Sequence, residues 1–168
     1  MSVAISIPKR LYEEAKKRGL DIETRVVEFL ARELGLDPRE EAGLHLELAE
    51  RFLREALFLL EKNDTVQASE KLYKAVEEAI KAMAEALELP EAEEARKRNK
   101  WSLRLLDLAA NKLAMEVDER IYDDWDHAYF LHTEGFHEAR LDSNQVRARA
   151  KYVEELLEIA KKIISQRK

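Results

Sequence analysis

Cysteine is absent from the chain, which excludes disulfides, thiolate zinc sites and cysteine nucleophiles and leaves histidine and carboxylates as the available metal ligands. Glycine and proline are scarce, at four and three among 168 residues, too few for a turn-rich β protein. No apolar run approaches the length of a membrane span, and the N-terminus lacks the apolar stretch of a signal peptide, so a cytoplasmic protein is expected. An excess of positive charge is missing as well. A net charge of −6 with 38% charged residues argues against a binder that meets nucleic acid with its whole surface, but leaves room for a local basic patch.

What is present is mostly Ala, Leu, Glu, Lys and Arg, the composition of long helices. Heavy use of Glu, Lys and Arg with little Asn or Gln also matches the thermophile trend, in which ion-pair networks gain value on heating. The expected fold is all-α, a four-to-five-helix up-down bundle over residues 37–168 preceded by a strand-helix-helix module over residues 1–36. In that module Val3, Ile5 and Ile7 alternate with small or polar residues, the period of a half-buried strand. Pro8 suits the first turn of a helix, Gly19 can close it, Asp21 can cap a second, and Gly35 can close that one. A lone strand needs a partner for its backbone groups, and the same strand of a second copy would supply one, so a homodimer is expected. The module resembles the ribbon-helix-helix modules of transcription factors and antitoxins, with Ile5-Ser6-Ile7-Pro8 leading into the first helix.

Beyond it, Asp37-Pro38 starts a helix running to about Lys62, and Asp64 with Gln67 caps the next, which carries Leu72, Val76, Ala79, Ile80, Met83 and Leu87 at bundle spacing. After Pro90 the residues from Glu91 to Lys100 read as a charged connector, followed by a helix from about Trp101 to Met115. Asp118 can cap a histidine-bearing helix, and Asp142 with Gln145 the last one.

The stretch from Trp125 to Leu141 holds three of the four histidines amid aromatic rings. On a regular helix, at about 100° per residue, His127 shares a line with Arg120, Asp124 and Glu134. His132 faces the opposite way with Trp125, Tyr129, Phe136 and Arg140, and His137 takes a third direction beside Phe130. Three histidines facing three ways do not converge on one metal, so neither a metal nor a cofactor is expected, although Gly135 could bend the helix. His127 near Asp123 and Asp124 reads either as an oriented general base or as a surface ion pair. His132 reads as a core histidine or a ligand contact. His137, with Arg140 and Arg147 beyond it, could hold a phosphate or an RNA backbone.

The pattern Ala68-x-x-x-Leu72-Tyr73-x-Ala75-x-Glu77-x-x-Ile80-Lys81-Ala82 resembles that of HEPN-type helical bundles. The segment His132-Thr-Glu-Gly-Phe-His137-Glu, followed by an Asp142-capped helix with Tyr152-Val153, is similar to the archaeal PaREP family, first subtype, itself related to HEPN. The resemblance implies a compact bundle that dimerises, in a group that includes ribonuclease toxins using an Arg and a His with four to six residues between them. Arg120 and His127 alone satisfy that spacing here. The expectation is therefore a homodimeric, non-catalytic binding or regulatory protein contacting nucleotide or nucleic acid. The alternatives are a metal-independent ribonuclease using Arg120 and His127, and a DNA-binding, antitoxin-like regulator.

Overall fold

The computed structural model describes residues 3–167. They fall into two units that divide at Asp37 and Pro38, each described by itself. In the first, α1 (Lys9–Lys17) begins after Pro8, and Gly19 follows it with φ +66°, a left-handed conformation that costs glycine little. Asp21 caps α2 (Ile22–Glu33) through the Thr24 backbone N–H, and Gly35 follows with φ +65°.

The expected strand is not there. Residues 3–7 form no ladder, and the described residues contain no strand at all; Ser2 lies outside the described residues. The physical reason is the one that made a partner necessary. Alternating residues stabilise a strand only when a neighbour takes its backbone hydrogen bonds, and the single chain offers none, so Val3 and Ile5 stay exposed. Without a ribbon, the comparison with ribbon-helix-helix modules loses the element that would read bases.

The second unit is all-α. It comprises α3 (Pro38–Glu61), α4 (Thr65–Ala86), α5 (Pro90–Arg98), α6 (Leu103–Glu116), α7 (Arg120–Phe130), a π-helical segment (Leu131–His137) and α8 (Ser143–Gln166). Asp64 accepts from the Gln67 N–H, and Asp142 and Gln145 form a reciprocal capping box, as their spacing predicts; Ser102, not foreseen as a cap, accepts from the Leu105 N–H. Asp118 accepts from the Arg120 N–H at the start of α7. The charged connector is a helix instead. Pro90 occupies its first turn with Glu91 and Glu93, Arg96, Lys97 and Arg98 sit in the last turn, and this order of charge matches the helix dipole. No helix among the described residues is long and apolar enough to cross a membrane.

Helix α4 is the axis of the bundle, touching α3, α5, α6, α7, α8 and the π-helical segment. Alanines at 68, 75, 79, 82 and 84, all fully buried, let neighbours approach closely, while Leu72, Ile80 and Met83 fill the space with Phe52, Leu113 and Leu156. The second half of α4, residues 78–85, is buried throughout, and the charges it carries there are paired. Glu78 accepts from Lys81 at 2.7 Å and meets His45 Nδ1 at 2.5 Å. Burial alone would raise the Glu78 carboxyl, but Lys81 and His45 outweigh it and hold it down at about 2. Glu85 accepts from Arg96, which also faces Glu41 at 3.8 Å.

Asp124 on α7 is the exception. It is fully buried and neither carboxyl oxygen has a hydrogen-bond partner. Burial, then the charge of Glu155, pushes it up to about 7. The folded chain thus keeps a proton that the unfolded chain loses, so this group's contribution to stability is complete at acid pH and falls as pH rises from about 4 through about 7. Asp124→Asn removes the penalty. We expect it to stabilise the fold at pH 8, by on the order of 2 kcal/mol, and to have little effect near pH 4, as measured by urea denaturation at both pH values.

Candidate functional site

The site grows out of a change of helix type. α7 runs regularly to Phe130, and the chain then widens into π-helical turns from Leu131 to His137, with Glu138 N–H donating to the Thr133 carbonyl five residues back at 2.9 Å. Two features of the sequence fit this conformation. Gly135 lies against α4 where an added Cβ would come within 2.6 Å of Ser69 Cβ, closer than a side chain can pack, so only glycine lets the segment dock. At the far end Ala139 adopts φ +51°, a left-handed conformation costing a non-glycine residue roughly 1–2 kcal/mol, and turns the chain towards α8.

The regular-helix placement of the histidines fails here for that reason. Residues five apart stand about 140° apart on an α-helix, whereas five residues of i→i+5 helix make little more than one turn. His132 and His137 therefore meet, with Nε2 atoms 3.0 Å apart. On its other side His132 Nδ1 lies 2.9 Å from Glu70 Oε2 of α4. A carboxylate can only accept, so Nδ1 carries the proton and the Nε2 lone pair of neutral His132 points outward to His137.

Aromatic rings hold the pair. His132 stacks on Tyr73 with centroids 4.2 Å apart, Tyr73 meets the edge of Tyr129, and Phe136 lies 5.1 Å from His137. Trp125 anchors the group from below, donating its indole N–H to Asp107 at 3.1 Å. Burial raises the Tyr73 phenol well above the ordinary range, helped by Glu77, to which it hydrogen bonds, and by Glu70. Burial likewise pushes Glu77 up to about 7 against the pull of Lys81. One part-exposed cluster thus carries two carboxyls, a phenol and two imidazoles.

The remaining residues singled out in the sequence lie elsewhere. Arg120 is held by both oxygens of Asp118 and by Glu155 at 2.8 Å. His127 stacks on Tyr152, centroids 3.8 Å apart, with its pKa lowered by burial and by Arg149, and Asp124 turns inward. Arg140 faces Glu134 and Glu138. Arg147 donates to the Leu60 carbonyl at 2.7 Å, tying α8 to the end of α3. The structure brings together His132 and His137 and leaves Arg120 and His127 on another face. Missed in the sequence were Glu70, Tyr73 and Glu77. Their signal was a polar stripe at intervals of three and four residues on the helix expected to form the core.

The family model of the archaeal PaREP1/PaREP8 family matches residues 44–157, most of the chain and all of this site. The chain belongs to the PaREP1/PaREP8 family. Among solved structures, this PaREP1/PaREP8 chain is similar to a crystal structure of a protein from Sulfolobus solfataricus, at 36% identity and a TM-score of 0.62, covering 68% of this chain and 94% of that one. It is likewise similar to a solution structure bearing the same target designation, at 34% identity and a TM-score of 0.62, covering 68% and 89%. No functionally curated protein matches it.

Because the Gly135–Ser69 contact holds the π-helical segment to α4, Gly135→Ala is expected to lower stability by about 1–3 kcal/mol and to separate the two histidines. Urea denaturation and the ring resonances of His132 and His137 measure the two effects. Adding Ser69→Gly restores the space and is expected to bring the ring resonances back, with a residual loss of about 1 kcal/mol for glycine in a helix.

Proposed function

We propose that this chain is a cytoplasmic, homodimeric binding protein of HEPN type, which holds a nucleotide or a single-stranded segment of RNA on the surface around the π-helical segment and does not cleave it. The observation that supports the reading is the run of contiguous rings, Tyr73, Tyr129, His132, Phe136 and His137, which reaches the surface at the exposed Tyr129. Bases stack on such faces with little regard to sequence. Arg149 lies over the ring of the neighbouring residue, Phe130, at 4.4 Å.

Cleavage by Arg120 and His127 has less support. The guanidinium is engaged by two carboxylates and the imidazole lies flat on Tyr152, so neither stands ready for a scissile phosphate or a 2′-hydroxyl. Self-association is supported by the N-terminal unit. Its 37 residues bury only Thr24 and Ala31 among those described, while Leu11, Tyr12, Phe29, Leu30 and Leu34 remain exposed, and a chain segment of this size needs a partner to complete a core.

Titrating end-labelled single-stranded RNA tests the site. Binding is expected, weakening with salt, and Tyr129→Ala and Phe136→Ala should each weaken it by about 1–3 kcal/mol, with the RNA intact after incubation in EDTA; absence of binding, or cutting that His127→Ala abolishes, would sink the proposal. Light scattering tests the dimer: the wild-type mass should be twice that of the chain, and Phe29→Glu with Leu34→Glu should halve it.

A further inference from the structure

We infer that His132 and His137 together form a binding site for a divalent transition-metal ion, with Glu70 as the outer partner that orients His132. This stands apart from the reading of the surface as a nucleotide contact and does not depend on it. Four observations lead to it. Glu70 accepts from Nδ1 of His132, so in the neutral ring the lone pair is on Nε2, which faces outward. A carboxylate behind a ligating imidazole is the arrangement that fixes tautomer and ring direction at histidine metal sites and makes the imidazole a stronger donor.

The second observation is the bite. Two imidazole nitrogens bound at about 2.0–2.1 Å to one metal stand about 2.9 Å apart at a right angle and about 3.4 Å apart at the tetrahedral angle, and the Nε2 separation of 3.0 Å found here lies between the two. Third, the rings are canted. An end-on N–H···N hydrogen bond of this length would put the ring centroids more than about 5 Å apart, whereas they lie 4.4 Å apart with planes at 81°, so the two lone-pair axes are not collinear. Fourth, neighbouring charge favours a cation. Glu70 lies behind the pair, while Arg140 is neutralised by Glu134 and Glu138.

Among the described residues no group of three His, Asp or Glu side chains is arranged to hold a metal. The ion would therefore have two protein ligands and complete its sphere with water or with an oxygen or nitrogen ligand from outside. Open positions are the mark of a site that acts on or recruits something rather than one that holds the fold. Imidazole ligands select zinc, copper, nickel or cobalt over magnesium and calcium.

The test is titration of the full-length, chelator-treated protein with Zn(II) by calorimetry and with Co(II) by visible absorption, at pH 7.5. One equivalent per chain should bind with a dissociation constant in the micromolar range. His137→Gln, an exposed position whose loss spares the core, should weaken binding at least 30-fold, and Glu70→Gln about 10-fold, within the range for outer-shell partners. His127→Gln should leave it unchanged. Zinc should also shift the ring 15N resonances of His132 and His137 and no others. Binding no tighter than about 1 mM, equal weakening by His127→Gln, or unshifted His132 and His137 resonances would each overturn the inference. Since RNA is absent from every arm, the result is separate from the nucleotide proposal.

Discussion

Between Gly135 and Ser69 there is no room for a side chain, and much of the local geometry follows from that contact. The π-helical segment can lie on α4 only because residue 135 has no Cβ, and by lying there it brings His132 within reach of Glu70 and stacks it on Tyr73. The wider turn costs hydrogen-bond quality compared with an α-helix, and the left-handed Ala139 adds strain at its end. Both costs are offset by packing, since Leu131 and Gly135 are buried against the bundle.

The same axis helix accounts for the bundle's buried charges. The second half of α4, from Glu78 to Glu85, is buried throughout, so Glu78, Lys81 and Glu85 must each find a partner or shift ionisation. Glu78 finds two and stays ionised; Glu85, pushed up to about 6 by burial despite Arg96, is caught between the two outcomes. Glu77 and Asp124, with raised values near neutrality, mark where pairing is incomplete. Glu77 lies beside the histidine pair, where an adjustable proton has chemical use, whereas Asp124 sits deep behind Arg120 and serves no visible contact.

Most of the architecture was legible because helix ends are written locally. Asp21, Asp64, Asp142 and their partners three residues on act as their spacing says, and the turns fall beside them. α5 was missed, because its high charge made residues 91–100 read as a connector although Pro90 and the order of acidic and basic residues suit a helix. The strand misled because alternation describes one side of a pairing and says nothing of whether a partner exists. The site was less legible for two reasons. Its contacts are long-range, with Glu70 62 residues from His132 and His45 33 from Glu78. Its key geometry depends on a change in helical period that no hydrophobic repeat of seven residues can record; only Gly135 hinted at it.

Helix type and histidine spacing act, in this segment, as a single constraint. Had the two histidines been four residues apart, an ordinary α-helix would have set them side by side, and no strained exit or missing Cβ would have been required. At five apart the pair exists only while the extra residue is accommodated as a bulge, so deleting one residue between Leu131 and His137 would restore a regular helix with the histidines still facing each other, while inserting one would part them. A gap of one length in an alignment of relatives would thus be neutral for the pair and a gap of the opposite sign would abolish it, which makes the direction of length change here more informative than the identity of most residues around it.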